Sequence, residues 1–159
     1  MPDPNDPPLY VHDVLAGAAW FPSSSLPNAR IDAVDLDAAL AIIAHQAPPP
    51  DRHHTLLLLL DHERRGFGIT HVENTVDPEA VIHIMELVAG HAALNPDLGG
   101  VIVVSFRPGG SDQLDDVERW LTMDEELGAV GVELVEWFVI GGAVSRPRTL
   151  VGEPSRWAA

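Results

Sequence analysis

The chain has 159 residues, 24 acids against nine arginines, no cysteine and no lysine, and a formal charge of -15. That length fits one domain with a well-buried core, and the missing cysteines exclude disulfides, thiolate nucleophiles and sulfur-ligated zinc. The missing lysines exclude Schiff-base catalysis, while the charge repels nucleic acid and anionic membranes and suits basic partners.

The opening MPDPNDPP carries neither a basic n-region nor an apolar h-region. It does not read as a signal peptide, and the expected address is cytoplasmic. Leu9 to Trp20 reads as a short helix or a strand, and Ser23 to Asn28 as loop. DLDAALAIIAHQ, Asp35 to Gln46, predicts a helix that Asp35 caps and Pro48-Pro49-Pro50 stops. The triple proline marks a boundary between an N-terminal extension, residues 1–50, and a main domain, residues 51–159.

In the main domain, Thr55 to Leu60 is a continuous apolar run, too short to span a bilayer and suited to a strand buried on both faces. DHERRG is a polar turn, and Phe67 to Glu73 alternates as a strand does, so the pair predicts a β-hairpin. Asp77 and Pro78 open a helix running to about Ala92, with Val81, Ile84, Met85, Val88 and Ala92 as its apolar stripe. Val101 to Phe106 is a central strand. A second helix follows from Asp112 to near Gly128, and Val132 to Ile140 is the last clear strand. Pro147 and Pro154 limit regular structure in residues 143–159. The order is β-β-α-β-α-β, an α/β layer domain around a mixed sheet.

Three segments carry a resemblance. TLLLLLDHERR resembles the first strand and turn of the RadC-like domains of the JAB/MPN superfamily. Asn74 to Val81 resembles their Gly-Thr-Val-Asp segment and the first long helix. Gly131 to Gly141 resembles their last strand in spacing as well as apolarity. The resemblance covers about Thr55 to Gly142 and implies a JAB/MPN-like, cytidine deaminase-like three-layer fold: a mixed sheet flanked by helices. It also implies a zinc peptidase site made of two loop histidines, an aspartate of the next helix and a glutamate base. The matching loop here is Ser105-Phe106-Arg107-Pro108-Gly109-Gly110. Pro108 and Gly110 match, whereas Ser105 and Arg107 stand in the histidine positions, and arginine offers a metal no lone pair. Only Asp115 matches the aspartate, with Asp112 in the place of a serine, and the base position falls near Gly68 to Thr70, where there is no acid. The resemblance therefore implies a degenerate metal site formed by Ser105, Arg107, Asp112, Asp115 and Asp116, without a cofactor.

Other groups compete for attention. His71 with Glu73 on a strand, and His83 with Glu86 on a helix, have ligand-pair spacing and with His62 form an alternative metal set. As polar residues on solvated faces they need no ligand at all. His53 and His54 follow the connector and read as solvated. Arg107 ahead of a helix N-terminus suits a small anion, but Asp112, Asp115 and Asp116 already satisfy that dipole, and a salt bridge from Arg107 to one of them is the expected arrangement. Glu136 lies mid-strand, either facing outward or paired with Arg107 or Arg119. Trp120 and Trp137 read as core or interface anchors. The expected function is a non-enzymatic scaffold or protein-interaction module that binds a protein partner, a second copy of the chain included, and neither nucleic acid nor membrane. The alternative is a hydrolase or metallopeptidase with a relocated or noncanonical metal site. An anion sensor at Arg107 is the third class.

Overall fold

The computed structural model describes residues 31–32, 51–110 and 113–156. The elements expected in residues 1–30, the helix of 35–46, the triple proline and Asp112 lie outside the described residues. Strands β1 (Ile31–Asp32), β2 (His54–Leu60), β3 (Arg65–Glu73), β4 (Gly100–Phe106), β5 (Glu133–Ile140) and β6 (Val144–Ser145) form one mixed sheet in the order β1-β3-β2-β4-β5-β6. Helices α1 (Ala80–Ala92) and α2 (Asp116–Gly128) link β3 to β4 and β4 to β5, and a short α3 (Pro147–Leu150) follows β6.

The unbroken leucine run has a simple cause. β2 lies between β3 and β4, antiparallel to both, so neither of its edges meets water. Leu57 and Leu59 join the core under α1 and α2, while Leu56, Leu58 and Leu60 join a second core on the opposite face. All five are fully buried, and each such side chain contributes roughly 1.5–3 kcal/mol. The β2–β3 turn is held by Asp61, whose carboxylate accepts the N–H groups of Glu63 and Arg65. Arg64 takes the left-handed conformation there, with φ 61°.

β4 and β5 run parallel, a pairing that needs a crossover, which α2 supplies. Their register skips Val135, which has no partner between Val101↔Leu134 and Ile102↔Glu136. This bulge places Leu134 and Trp137 in the helix-side core and Val135 and Phe138 in the other. Both glycines bounding the last resemblance segment meet a backbone demand. Gly131 turns the chain from α2 into β5 with φ 78°, and Gly141 lies so close to the Gly110 carbonyl that a Cβ would stand 1.9 Å from it.

Two expectations differ from the structure, and one short strand lies where none was expected. α1 begins at Ala80, not Pro78, because Asp77 forms a turn ahead of it, accepting the N–H of Glu79 on its carboxylate and that of Ala80 on its carbonyl. Two residues of the extension, Ile31 and Asp32, add an edge strand opposite Gly66 and Arg65. Residues 143–156 are more regular than two prolines suggest, since Pro147 sits at the start of α3, where a missing N–H costs nothing.

Candidate functional site: an arginine–carboxylate cluster at the end of β4

The chain leaves β4 through Arg107, whose N–H donates to the Ile140 carbonyl at 2.7 Å and so continues the parallel ladder by one residue. Gly109 (φ 66°) then closes a tight turn in which the Gly110 N–H donates to the Arg107 carbonyl. Extension of the ladder and closure of the turn direct the Arg107 side chain under the start of α2. Its two terminal nitrogens donate to Asp116 at 2.7 and 2.9 Å, a bidentate fork. The guanidinium also lies 5.7 Å from the centre of the Trp137 ring, within cation–π range. Trp137 in turn donates its indole N–H to Ser105 Oγ at 3.0 Å.

Asp116 is shared. Arg119, one turn along α2, donates at 2.9 Å to Oδ1, which also accepts from Arg107, and the Gln113 N–H donates to Oδ2 at 2.8 Å. Arg119 also reaches Glu79 in the turn before α1 at 2.7 Å, so the cluster ties the starts of both helices to the end of β4. Asp116, Arg107 and Arg119 are all buried. Burial pushes the Asp116 carboxyl up, but the donors from Arg107, Gln113 and Arg119 outweigh it and hold the group below the ordinary carboxylate value. Burial opposes the charge of Arg119 as well, and Glu79 with Asp116 outweighs it in the other direction. Beside the cluster, Thr55, Thr75, Asp77, Ser105 and Arg107 line a cleft of about 220 Å³, open solvent included. Thr55 donates to Thr75 within it at 2.9 Å.

Helix phase selects Asp116 from the three acids expected near Arg107. Asp116, Arg119, Trp120, Met123 and Leu127 form the buried stripe of α2, the i, i+3, i+4, i+7 pattern of a core-facing side. Asp115, the position implied by the resemblance, is exposed ahead of the helix. A count from the tryptophan back along the helix finds the same residue in the sequence.

The alternative metal residues are dispersed. His71 shares a strand face with Ile69, in the core opposite the helices, and its Nδ1 meets His54 Nε2 at 2.8 Å. His83 and Glu86 face each other at 3.5 Å on the exposed side of α1, which packs on the other face of the sheet. His62 donates to the Pro96 carbonyl at 2.8 Å. Among the described residues no three His, Cys, Asp or Glu side chains converge as a metal site would need. His54, read as solvated, is buried. Glu136 is buried as well and pairs with Arg148 at 2.8 Å, not with Arg107 or Arg119. That partner comes from α3, an element the sequence did not reveal. Trp120 and Trp137 are fully buried core residues.

The donor set at the end of β4 does not suit zinc. Ser105 Oγ accepts the tryptophan N–H, Arg107 has no lone pair, and both carboxylate oxygens of Asp116 accept from arginine. No protein-family model and no curated protein matches this chain. Among the described residues no helix is long and apolar enough to cross a membrane.

Proposed function

We propose that the chain is a non-enzymatic protein-interaction module on a JAB/MPN-like, RadC-like scaffold whose zinc loop has become an arginine–carboxylate lock. One observation carries the reading: Arg107, which the resemblance aligns with a metal-ligating histidine, holds Asp116 with a bidentate fork. A permanent cation takes the structural place of a metal and closes the site to one. The order strand, Pro-Gly loop, helix, strand, Gly supports the scaffold, as do the backbone demands at Gly131 and Gly141. Val76 and Leu114, each in the segment ahead of one of the two helices, are 63% and 96% exposed. Each is an exposed apolar side chain close in sequence to a residue of the cluster, Val76 to Glu79 and Leu114 to Asp116. The -15 charge favours a partner with a basic face.

The test is metal content together with assembly. Untagged protein dialysed against zinc and then buffer is expected to hold well under one zinc per chain by mass spectrometry of the metal. Sedimentation, alone and after co-purification from its own cells, is expected to show a stoichiometric complex. Stoichiometric zinc removed by Asp116→Ala would overturn the lock. A strictly monomeric protein without a stoichiometric companion would overturn the interaction role.

A further inference from the structure

His54 and His71 lie on the sheet face away from α1 and α2, at the end where β2 begins and β3 finishes. Their sequence positions are diagonal across the hairpin: His54 is in register with Glu73, and His71 with Leu56. The His54 Nε2 and His71 Nδ1 atoms are 2.8 Å apart. The rings meet edge to face, with centres 5.0 Å apart and planes at 73°. The Phe106 ring of β4 closes the other side of His54, with centres 6.5 Å apart. His54 is 6% exposed. A contact of this length between two imidazole nitrogens needs one proton between them. One ring donates N–H and the other must present a lone pair. Two protonated rings have no lone pair to offer and place like charges a hydrogen-bond length apart.

We propose that the His54–His71 pair is a proton-sensitive clasp: a single N–H···N bond closes this end of the β2–β3 hairpin at neutral pH, and a second proton opens it. The charged groups facing the pair among the described residues are Glu73 on β3 and Arg52 ahead of β2, while β4 offers the apolar Phe106. Burial lowers the affinity of His54 for a proton, with the neighbouring His71 and Arg52 adding to that and Glu73 opposing it. Burial does the same for His71, again against Glu73. Both rings therefore titrate below the ordinary 6.5. The unfolded chain takes up protons first as the pH falls. The clasp is at full strength above the ordinary imidazole value and weakens progressively below it, down to the folded pair's own titration. The second proton is the one that breaks the bond. A metal is not what the geometry suits, because the nearest nitrogens are engaged with each other and among the described residues no third ligand converges.

Two measurements on the full chain test the clasp. Histidine ring NMR from pH 8 to 4.5, assigned with His54→Gln and His71→Gln, is expected to show both rings titrating below 6.5. In His71→Gln the remaining His54 ring is expected to titrate higher than in the wild type, because the neighbouring His71 charge is gone. Amide exchange, corrected for its intrinsic pH dependence, is expected to speed at least about tenfold at Thr55 and Val72 between pH 7.5 and 5, while Leu58 and Ile69 stay protected. The wild-type curves alone decide the matter if a variant does not fold. Two independent single-site titrations at the ordinary value would overturn the proposal. So would acid titration of the pair with no local loss of protection at Thr55 and Val72.

Discussion

α2 is anchored by ion pairs along its length, and the two anchors invert one another. At its start a single carboxylate, Asp116, serves two arginines. Further along, a single arginine, Arg156, serves two carboxylates: Asp124 at 2.6 Å and Glu153 at 2.8 Å. Both arginine sets also cover a tryptophan, Arg107 over Trp137 and Arg156 over Trp120. The difference is water. The Asp116 side chain is fully buried, whereas the side chains of the Arg156 anchor are 22–31% exposed. Removing one member of the first anchor strands a charge in the core, but removing one from the second returns its partners to solvent. The same chemistry therefore fixes the fold at one place and only fastens a tail at the other.

The largest effect is expected where that asymmetry is greatest. Asp116→Ala leaves two buried guanidinium groups facing each other and is expected to destabilise the protein by ~4 kcal/mol, near the middle of the range for a broken buried pair. Urea denaturation measures it. A loss below about 1 kcal/mol would mean that the cluster is hydrated in solution and the comparison with Arg156 fails. Arg107→Ala is expected to cost less, ~3 kcal/mol, because Asp116 keeps Arg119 and the Gln113 N–H. The double variant Arg107→Ala, Asp116→Ala should cost markedly less than the two single losses added, since a stranded charge is counted in both of them. Additive losses would show that Arg107 and Asp116 do not act as a pair.

Acid sharpens the same contrast. Asp116 holds its charge below the ordinary carboxylate value, so its contribution is complete above the unfolded value of 3.8 and is lost as the pH falls through the lower folded value. Wild-type protein should therefore lose more stability from pH 5 to 2.5 than Asp116→Ala does. Equal losses in the two would remove Asp116 as a source of acid sensitivity. Arg156→Ala is expected to cost ~1–2 kcal/mol, an exposed pair plus a cation–π contact. It should loosen residues 146–156 first, seen as faster proteolysis there. Global unfolding without that local step would show the tail to be part of the core.

The two anchors also differ in how far the sequence reveals them. Arg107 and Asp116 are nine residues apart, one directly after β4 and the other at the start of α2. Helix phase alone singles out Asp116 from Asp115, because Trp120, Met123 and Leu127 fix the buried side. Arg156 meets Asp124 across 32 residues, and no local pattern joins them. Arg148 and Glu136 are likewise unreadable, since α3 has four residues and too little length for a period. β1 fails for the same reason, with two residues. The helices are legible from their 3.6-residue apolar stripes, and β2 and β4 from unbroken apolar runs that suit strands buried on both faces. A histidine shortly after a triple proline looks solvated, and only the pairing of β2 with β3 brings His54 to His71.

The smallest expected effect falls on the link between the two helix starts. Glu79 meets the buried Arg119, but its own side chain is 55% exposed. In Glu79→Gln the freed Arg119 keeps Asp116 at 2.9 Å and the Gln113 side chain at 3.1 Å, so no buried charge loses its counter-charge. The amide oxygen of glutamine also still accepts a hydrogen bond. The loss should be below ~1 kcal/mol and should shrink further in salt, as for an exposed pair. A urea midpoint series at low and high ionic strength tests this. A loss of about 3 kcal/mol, insensitive to salt, would place Glu79 inside the buried network. The lock would then span both helices, and the contrast between the two ends of α2 would be one of size as well as of burial.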